Sequence, residues 1–160
     1  MPTLASSTRY IAPGVTKIYF APTIAAYPGA ATTGEITAGT DITGEIADIA
    51  GFSSQAEFVE TPDLSNKFVP KISGRIKAED SSLTFYASVN GTDIRATLTQ
   101  GLVGYLVFMD GGNVSGQKMD QFAVTVASVS VLRNVSGSDP IRVKVDFALT
   151  KVPAYNLAVP

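Results

Sequence analysis

Apolar and polar positions alternate with a period of two over much of the chain, the signature of half-buried strands. The clearest run lies near the end, where Ile141, Val143, Val145, Phe147 and Leu149 fall on one side and Arg142, Lys144, Asp146, Ala148 and Thr150 on the other. Phe122, Val124 and Val126 alternate in the same way with Gln121, Ala123 and Thr125, and the apolar run continues through Val129, Val131 and Leu132. Residues 134–140 between the two runs are rich in turn formers, so a long antiparallel hairpin is expected. Further strands are expected over 15–20, 52–59, 68–76, 83–89 and 103–109, with punctuation at Asn90-Gly91 and at Asp110-Gly111-Gly112-Asn113. One segment reads as helix: Thr92 or Asp93 can cap it, Ile94 and Leu98 share a face, and Gly101 stops it. Seven strands and one short helix predict an all-β domain, a β-sandwich or barrel with a helix on its flank.

Two intervals resist the pattern. Residues 21–47 are rich in Ala, Thr, Gly and Pro, and within them Thr33-Gly34-Glu35-Ile36 recurs as Thr43-Gly44-Glu45-Ile46. A loop this long inside a domain is uncommon unless it is functional or ordered by a partner, and 31–47 is expected to be a removable joint between copies. Residues 61–70 are expected to project as a second loop. The ends, 1–13 and 153–160, read as extended arms: apolar enough to dock, too rich in Pro to make regular structure alone. The whole, 1–160, is expected to be one domain.

Composition removes most catalytic designs. The chain has no Cys and no His, so it lacks a thiolate nucleophile, a disulfide framework and the commonest general base and metal ligand. Glu79-Asp80, the only adjacent acid pair, points apart on a strand or turn. Asp110-Gly111-Gly112-Asn113 lacks the remaining ligands of a calcium loop, and Gly101-Leu102-Val103-Gly104 lacks the Gly-Lys-Ser/Thr of a phosphate loop. No enzyme activity and no cofactor are therefore expected. No run approaches the roughly 18–20 apolar residues of a membrane helix, and the opening residues lack a basic, apolar leader, so synthesis in the cytosol is expected.

Charge changes the picture more. The chain is sparsely charged, 16% Asp, Glu, Lys and Arg, with a net charge of −2. No base occurs between Lys17 and Lys67, an interval holding Glu35, Asp41, Glu45, Asp48, Glu57, Glu60 and Asp63. From Lys67 onward there are ten basic and seven acidic residues. An acidic front and a mildly basic back suit head-to-tail contacts between copies. Glu35, Asp41, Glu45, Asp48 and Asp63 against Lys67, Lys71 and Arg75 are the expected contact set. The Arg142 and Lys144 stripe is interrupted by Asp146 and has no interleaved aromatic residues, unlike a nucleic-acid binder.

Residues 51–112 resemble the major tail proteins of long-tailed bacteriophages, the family that polymerises into the tail tube. Lys71-Ile72-Ser73-Gly74-Arg75-Ile76-Lys77-Ala78-Glu79-Asp80-Ser81-Ser82-Leu83-Thr84-Phe85-Tyr86 is similar to the family's loop and strand around a hairpin. Asp93-Ile94-Arg95-Ala96-Thr97-Leu98 with Gly101 resembles its helix, and Gly104-Tyr105-Leu106-Val107-Phe108-Met109-Asp110 the strand after it. The resemblance implies a virion protein forming hexameric rings, each copy lending strands to one inner β-barrel, with rings stacked into a conduit for double-stranded DNA. It also implies tail terminator, tape measure and distal tail proteins as partners. The closing hairpin is then the expected inner wall, with Arg142, Lys144 and Asp146 facing the lumen, although a DNA conduit should not hold its cargo. Two alternatives remain: the inner tube of a contractile tail or injection system, and a capsid decoration or carbohydrate-binding sandwich.

Overall fold

In a computed structural model that describes residues 3–160, most of the chain is one antiparallel sheet folded over on itself. Met1 and Pro2, the start of the expected N-terminal arm, lie outside the described residues. The strands are β1 (Lys17–Ala21), β2 (Thr40–Asp41), β3 (Ile46–Ala50), β4 (Ser54–Glu60), β5 (Lys71–Ala78), β6 (Ser81–Tyr86), β7 (Val103–Met109), β8 (Lys118–Leu132), β9 (Arg142–Leu149) and β10 (Ala154–Ala158). Eight form the main sheet in the order β2-β1-β7-β8-β9-β6-β3, with β10 also bonded to β8; β4 and β5 make a separate hairpin.

The long strand β8 explains the folding-over. Its first part pairs with β7 on one side, from Phe108↔Asp120 to Val103↔Thr125, and with β10 on the other. From Val124↔Leu149 it pairs with β9, through a bulge between Val126 and Ser128, down to Leu132↔Arg142. Apolar side chains of β1, β7 and early β8 (Ile18, Phe20, Leu106, Phe122) therefore meet those of β6, late β8 and β9 (Leu83, Phe85, Val126, Val143, Val145, Phe147) in one core. The alternation of β9 is as expected: Val143, Val145 and Phe147 are buried, and Arg142, Lys144 and Asp146 face outward.

The interval 21–47 departs from expectation, because it is ordered by its own chain. It holds a second helix, α1 (Thr33–Ala38), as well as β2, a 3₁₀ turn (Thr43–Glu45) and the start of β3. Thr32 caps α1 and Glu35 closes a capping box, each binding the other's backbone. Ile24, Ala31 and Ile36 then cover the back of β7 and β8 against Val107, Met109 and Met119, while Ile42 enters the first core. The segment is thus core rather than a removable joint. The expected helix is α2 (Ile94–Thr97), capped by Asp93. The expected C-terminal arm is largely β10, whose neighbour Val159 is buried. The N-terminal residues 3–12 are exposed and lack regular structure.

Candidate functional site

The loop expected at 61–70 proves to be the tip of the β4–β5 hairpin, and the whole hairpin stands clear of the body. Its base is pinned by Phe52, which packs against Phe108, Phe122 and Phe147 with ring centroids 5.1, 5.4 and 6.0 Å away. Phe52 adopts a left-handed backbone (φ 59°) and its N–H donates to Ser81 Oγ at 2.9 Å. A bulky residue holds that conformation only where its surroundings determine it. Gly51 (φ +80°) precedes it, and a Cβ there would lie 2.2 Å from the Asp80 carbonyl oxygen.

Beyond this pin the hairpin is amphipathic with no cover on its apolar side. Ala56 lies opposite Ile76, and Val59 opposite Ile72. A one-residue register shift between Ala56 and Phe58 puts all four on one face. Ile76 is 63% and Ile72 56% exposed, beside Gly74, where a Cβ would meet Val59 at 3.1 Å. The other face carries charge: Lys77 pairs with Glu57, and Lys71 with Glu60 at 3.2 Å. Exposed apolar surface of this kind marks an interaction site.

The main sheet has a second unfinished feature. Late β8, β9, β6 and β3 form a four-stranded half whose flanking strands each lack a partner along one side. Among the described residues β3 pairs only with β6, and beyond Val126 no described strand lies on the β7 side of β8. The outer face of this half is polar. One row runs Asp48–Thr84–Lys144–Ser130, the next Ala50–Ser82–Asp146–Ser128, and a third ends Tyr86–Arg142–Leu132. Lys144 Nζ lies 3.2 Å from Asp146 Oδ1, and Ser128 Oγ donates to Asp146 Oδ2 at 2.6 Å. That hydrogen bond, with the lysine, holds the Asp146 carboxyl below its ordinary range. Arg142 lies 3.9 Å from Asp139, and its buried Nε has no partner among the described residues.

The expected contact residues divide by how far they are engaged at home. Glu35 accepts from the N–H groups of Ala25 and Thr32, at 2.7 and 2.8 Å. Asp41 accepts from Thr43 N–H at 2.9 Å and lies 3.8 Å from Lys17. Asp63 accepts from Ser65 N–H at 2.8 Å within the hairpin tip. Lys71 is paired with Glu60. The side chains of Glu45, Asp48, Lys67 and Arg75 make no hydrogen bond or ion pair among the described residues. Arg75 and Lys67 sit on the hairpin, Asp48 on the open edge β3 and Glu45 just before it. Period-two alternation does not mark the apolar face of β4, because the bulge breaks it.

A family model described as phage tail tube protein matches residues 4–160. No curated protein matches. Among solved structures, a chain of the extracellular contractile injection system PVC sheath/tube terminator in the extended state superposes with a TM-score of 0.64, at 9% identity, over 92% of this chain and 99% of that one. A chain of the PVC sheath-tube complex in the extended state gives 0.60 at 11% identity, over 94% and 99%. A chain of the anti-feeding prophage baseplate, 6-fold symmetrised, gives 0.60 at 13% identity over 98% of each. At these identities the likeness is one of fold.

Proposed function

This chain belongs to the phage tail tube protein family, and from that premise we propose that the half sheet β8–β9–β6–β3 is one segment of a ring wall completed edge to edge by copies of the chain. The observation that carries the reading is the pair of unpaired edges at Ile46–Ala50 and Ser128–Leu132. Along the four strands direction alternates. Late β8 of one copy therefore meets β3 of the next antiparallel, in a head-to-tail contact that closes with rotation. Side-chain alternation matches across the joint: Ile49 and Val129 or Val131 on the core side, Asp48, Ala50, Ser128 and Ser130 on the other. Closure removes two edges that would otherwise invite aggregation.

The polar outer face then lines the lumen, through which double-stranded DNA would pass. The 6-fold symmetrised baseplate that holds a fold relative supports six copies per ring. The hairpin, with its free apolar face and with Lys67 and Arg75, is the connector to a neighbouring copy, where Glu45 and Asp48 are the unengaged acids of the front half. The role is structural and the site of action the virion tail. Tail terminator, tape measure and distal tail proteins are the partners expected around such a tube. A second reading, an inner tube clothed by a contractile sheath, is favoured by the fold relatives in the sheath-tube and sheath/tube terminator assemblies.

Negative-stain microscopy of the purified chain tests the proposal. Rings or tubes of uniform width are expected, and Ile72→Ser/Ile76→Ser is expected to remain a folded monomer that no longer extends them. A monodisperse wild-type monomer at high concentration, or unimpaired growth by the double variant, would overturn it.

A further inference from the structure

The outer face of the half sheet carries two basic residues, yet a polyanion that must move along a wall cannot be gripped by it. The surroundings of Lys144 show how one of them is silenced. Its cross-strand neighbours are Thr84 and Ser130, both neutral. Its ammonium is met by one acid, Asp146, two residues along the same strand and on the same face, at 3.2 Å. Asp146 is in turn held by the Ser128 hydroxyl at 2.6 Å from the adjacent strand, which fixes the carboxylate beside the lysine. Its other cross-strand neighbour is Ser82, so no second base competes for it. Both side chains of the pair are about two-fifths exposed, enough to meet a ligand if either were free.

We infer that Asp146 acts as a mask, pairing with Lys144 within the chain so that this face does not bind double-stranded DNA. An ion pair of this exposure contributes little to folding, so its place on the polar face has its effect on what passes over that face. Repetition makes the effect large: one freed lysine per copy would add a phosphate contact at every copy of every ring. Each such contact steepens the fall of log affinity with log salt by about 0.9. The inference rests on the lumen-wall reading of this face.

The test compares two variants of equal net charge on a column of immobilised double-stranded DNA, using the purified chain. Asp146→Asn/Lys118→Gln frees Lys144 and removes a base from the other end of β8. Asp146→Asn/Lys144→Gln removes the freed lysine itself. The first is expected to elute later than the second at about 50 mM salt, with the gap narrowing by about 200 mM, since one phosphate contact weakens about 3.5-fold over that range. The second, like the wild type, is expected to pass unretarded. Co-elution of the two variants, or retardation of the wild type, would overturn the masking role. Tube growth by the wild-type chain is scored separately by microscopy, so a chain that builds tubes while its variants co-elute loses the mask alone. A chain that builds no tubes loses the wall reading instead.

Discussion

Gln121, near the start of β8 and fully buried, ties the Gly29–Ala31 backbone to the sheet. With its amide set to satisfy both neighbours, it donates to the Gly29 carbonyl at 3.1 Å and accepts from the Ala31 N–H at 2.7 Å. The loop ahead of α1 is held as well by Tyr27, whose ring lies 5.3 Å from that of Tyr105 and whose hydroxyl donates to the Val152 carbonyl. Gln121→Leu keeps the volume but strands two buried backbone groups. A loss of about 2 kcal/mol in chemical denaturation is expected, together with faster amide exchange over residues 25–32.

Gly104 and Phe20 form a second such pair. A Cβ at position 104 would lie 2.4 Å from the Phe20 ring and 3.0 Å from the Ala21 carbonyl oxygen, on strands whose register is set by Phe20↔Leu106. Gly104→Ala is expected to cost about 1–3 kcal/mol by overpacking. In the Phe20→Leu background the penalty of Gly104→Ala should shrink by at least half. Equal penalties in both backgrounds, read from a double-mutant cycle, would show that the backbone clash dominates instead.

Asp93 governs acid sensitivity at the α2 corner. Its side chain is 3% exposed; it accepts from Ser88 N–H at 2.9 Å and Arg95 N–H at 3.0 Å, and it forks onto the Arg95 guanidinium at 2.6 and 2.8 Å. Those hydrogen bonds, the one from the Arg95 side chain foremost, hold its carboxyl far below the ordinary range. A depressed carboxyl stabilises the fold above its unfolded pKa, and the stabilisation is lost as pH falls towards the folded value. Thermal stability should therefore decline between about pH 4 and pH 2. Asp93→Asn should be less stable at pH 7, by about 2 kcal/mol for cap and fork together, and flatter across the acid window. A variant as acid-sensitive as the wild type would assign the decline to other carboxylates.

What could be read from the sequence followed from locality. The strand expected at 103–109 is β7 itself, and the alternation of 141–149 is the burial pattern of β9. A strand covered on one face by its own sheet writes its environment into every second residue. That rule puts Gln121 and Ala123 on the polar side, yet both are buried, because α1 and the loop before it cover the second face. That cover comes from residues about ninety positions away and leaves no local trace. The helix α1 did leave one, Thr32 and Glu35 at capping-box spacing, which the Ala, Thr and Gly composition around it obscures. Among the acids of the front half, Glu35 and Asp41 are consumed by their own turns, whereas Glu45 and Asp48 are not, a distinction set by backbone geometry rather than by residue type.

The two open edges make the last prediction, which separates folding from assembly. Ile49 pairs with Leu83 on the core side of the sheet, yet it is 45% exposed because no described strand lies beyond β3. In a single chain Ile49→Asp therefore exchanges a half-solvated side chain for a solvated one, and a loss under about 1 kcal/mol is expected. In a closed ring the same carboxylate is enclosed against Val129 or Val131 of the next copy, where an unpaired charge costs several kcal/mol. The variant should melt close to the wild type and yet sediment as a monomer. Adding Val131→Arg supplies the missing counter-charge at the facing edge and should restore some assembly if Ile49 and Val131 meet, whereas Val129→Arg should restore it if the register is two residues shorter. Assembly intact in Ile49→Asp alone would mean that the β3 edge is not the joint.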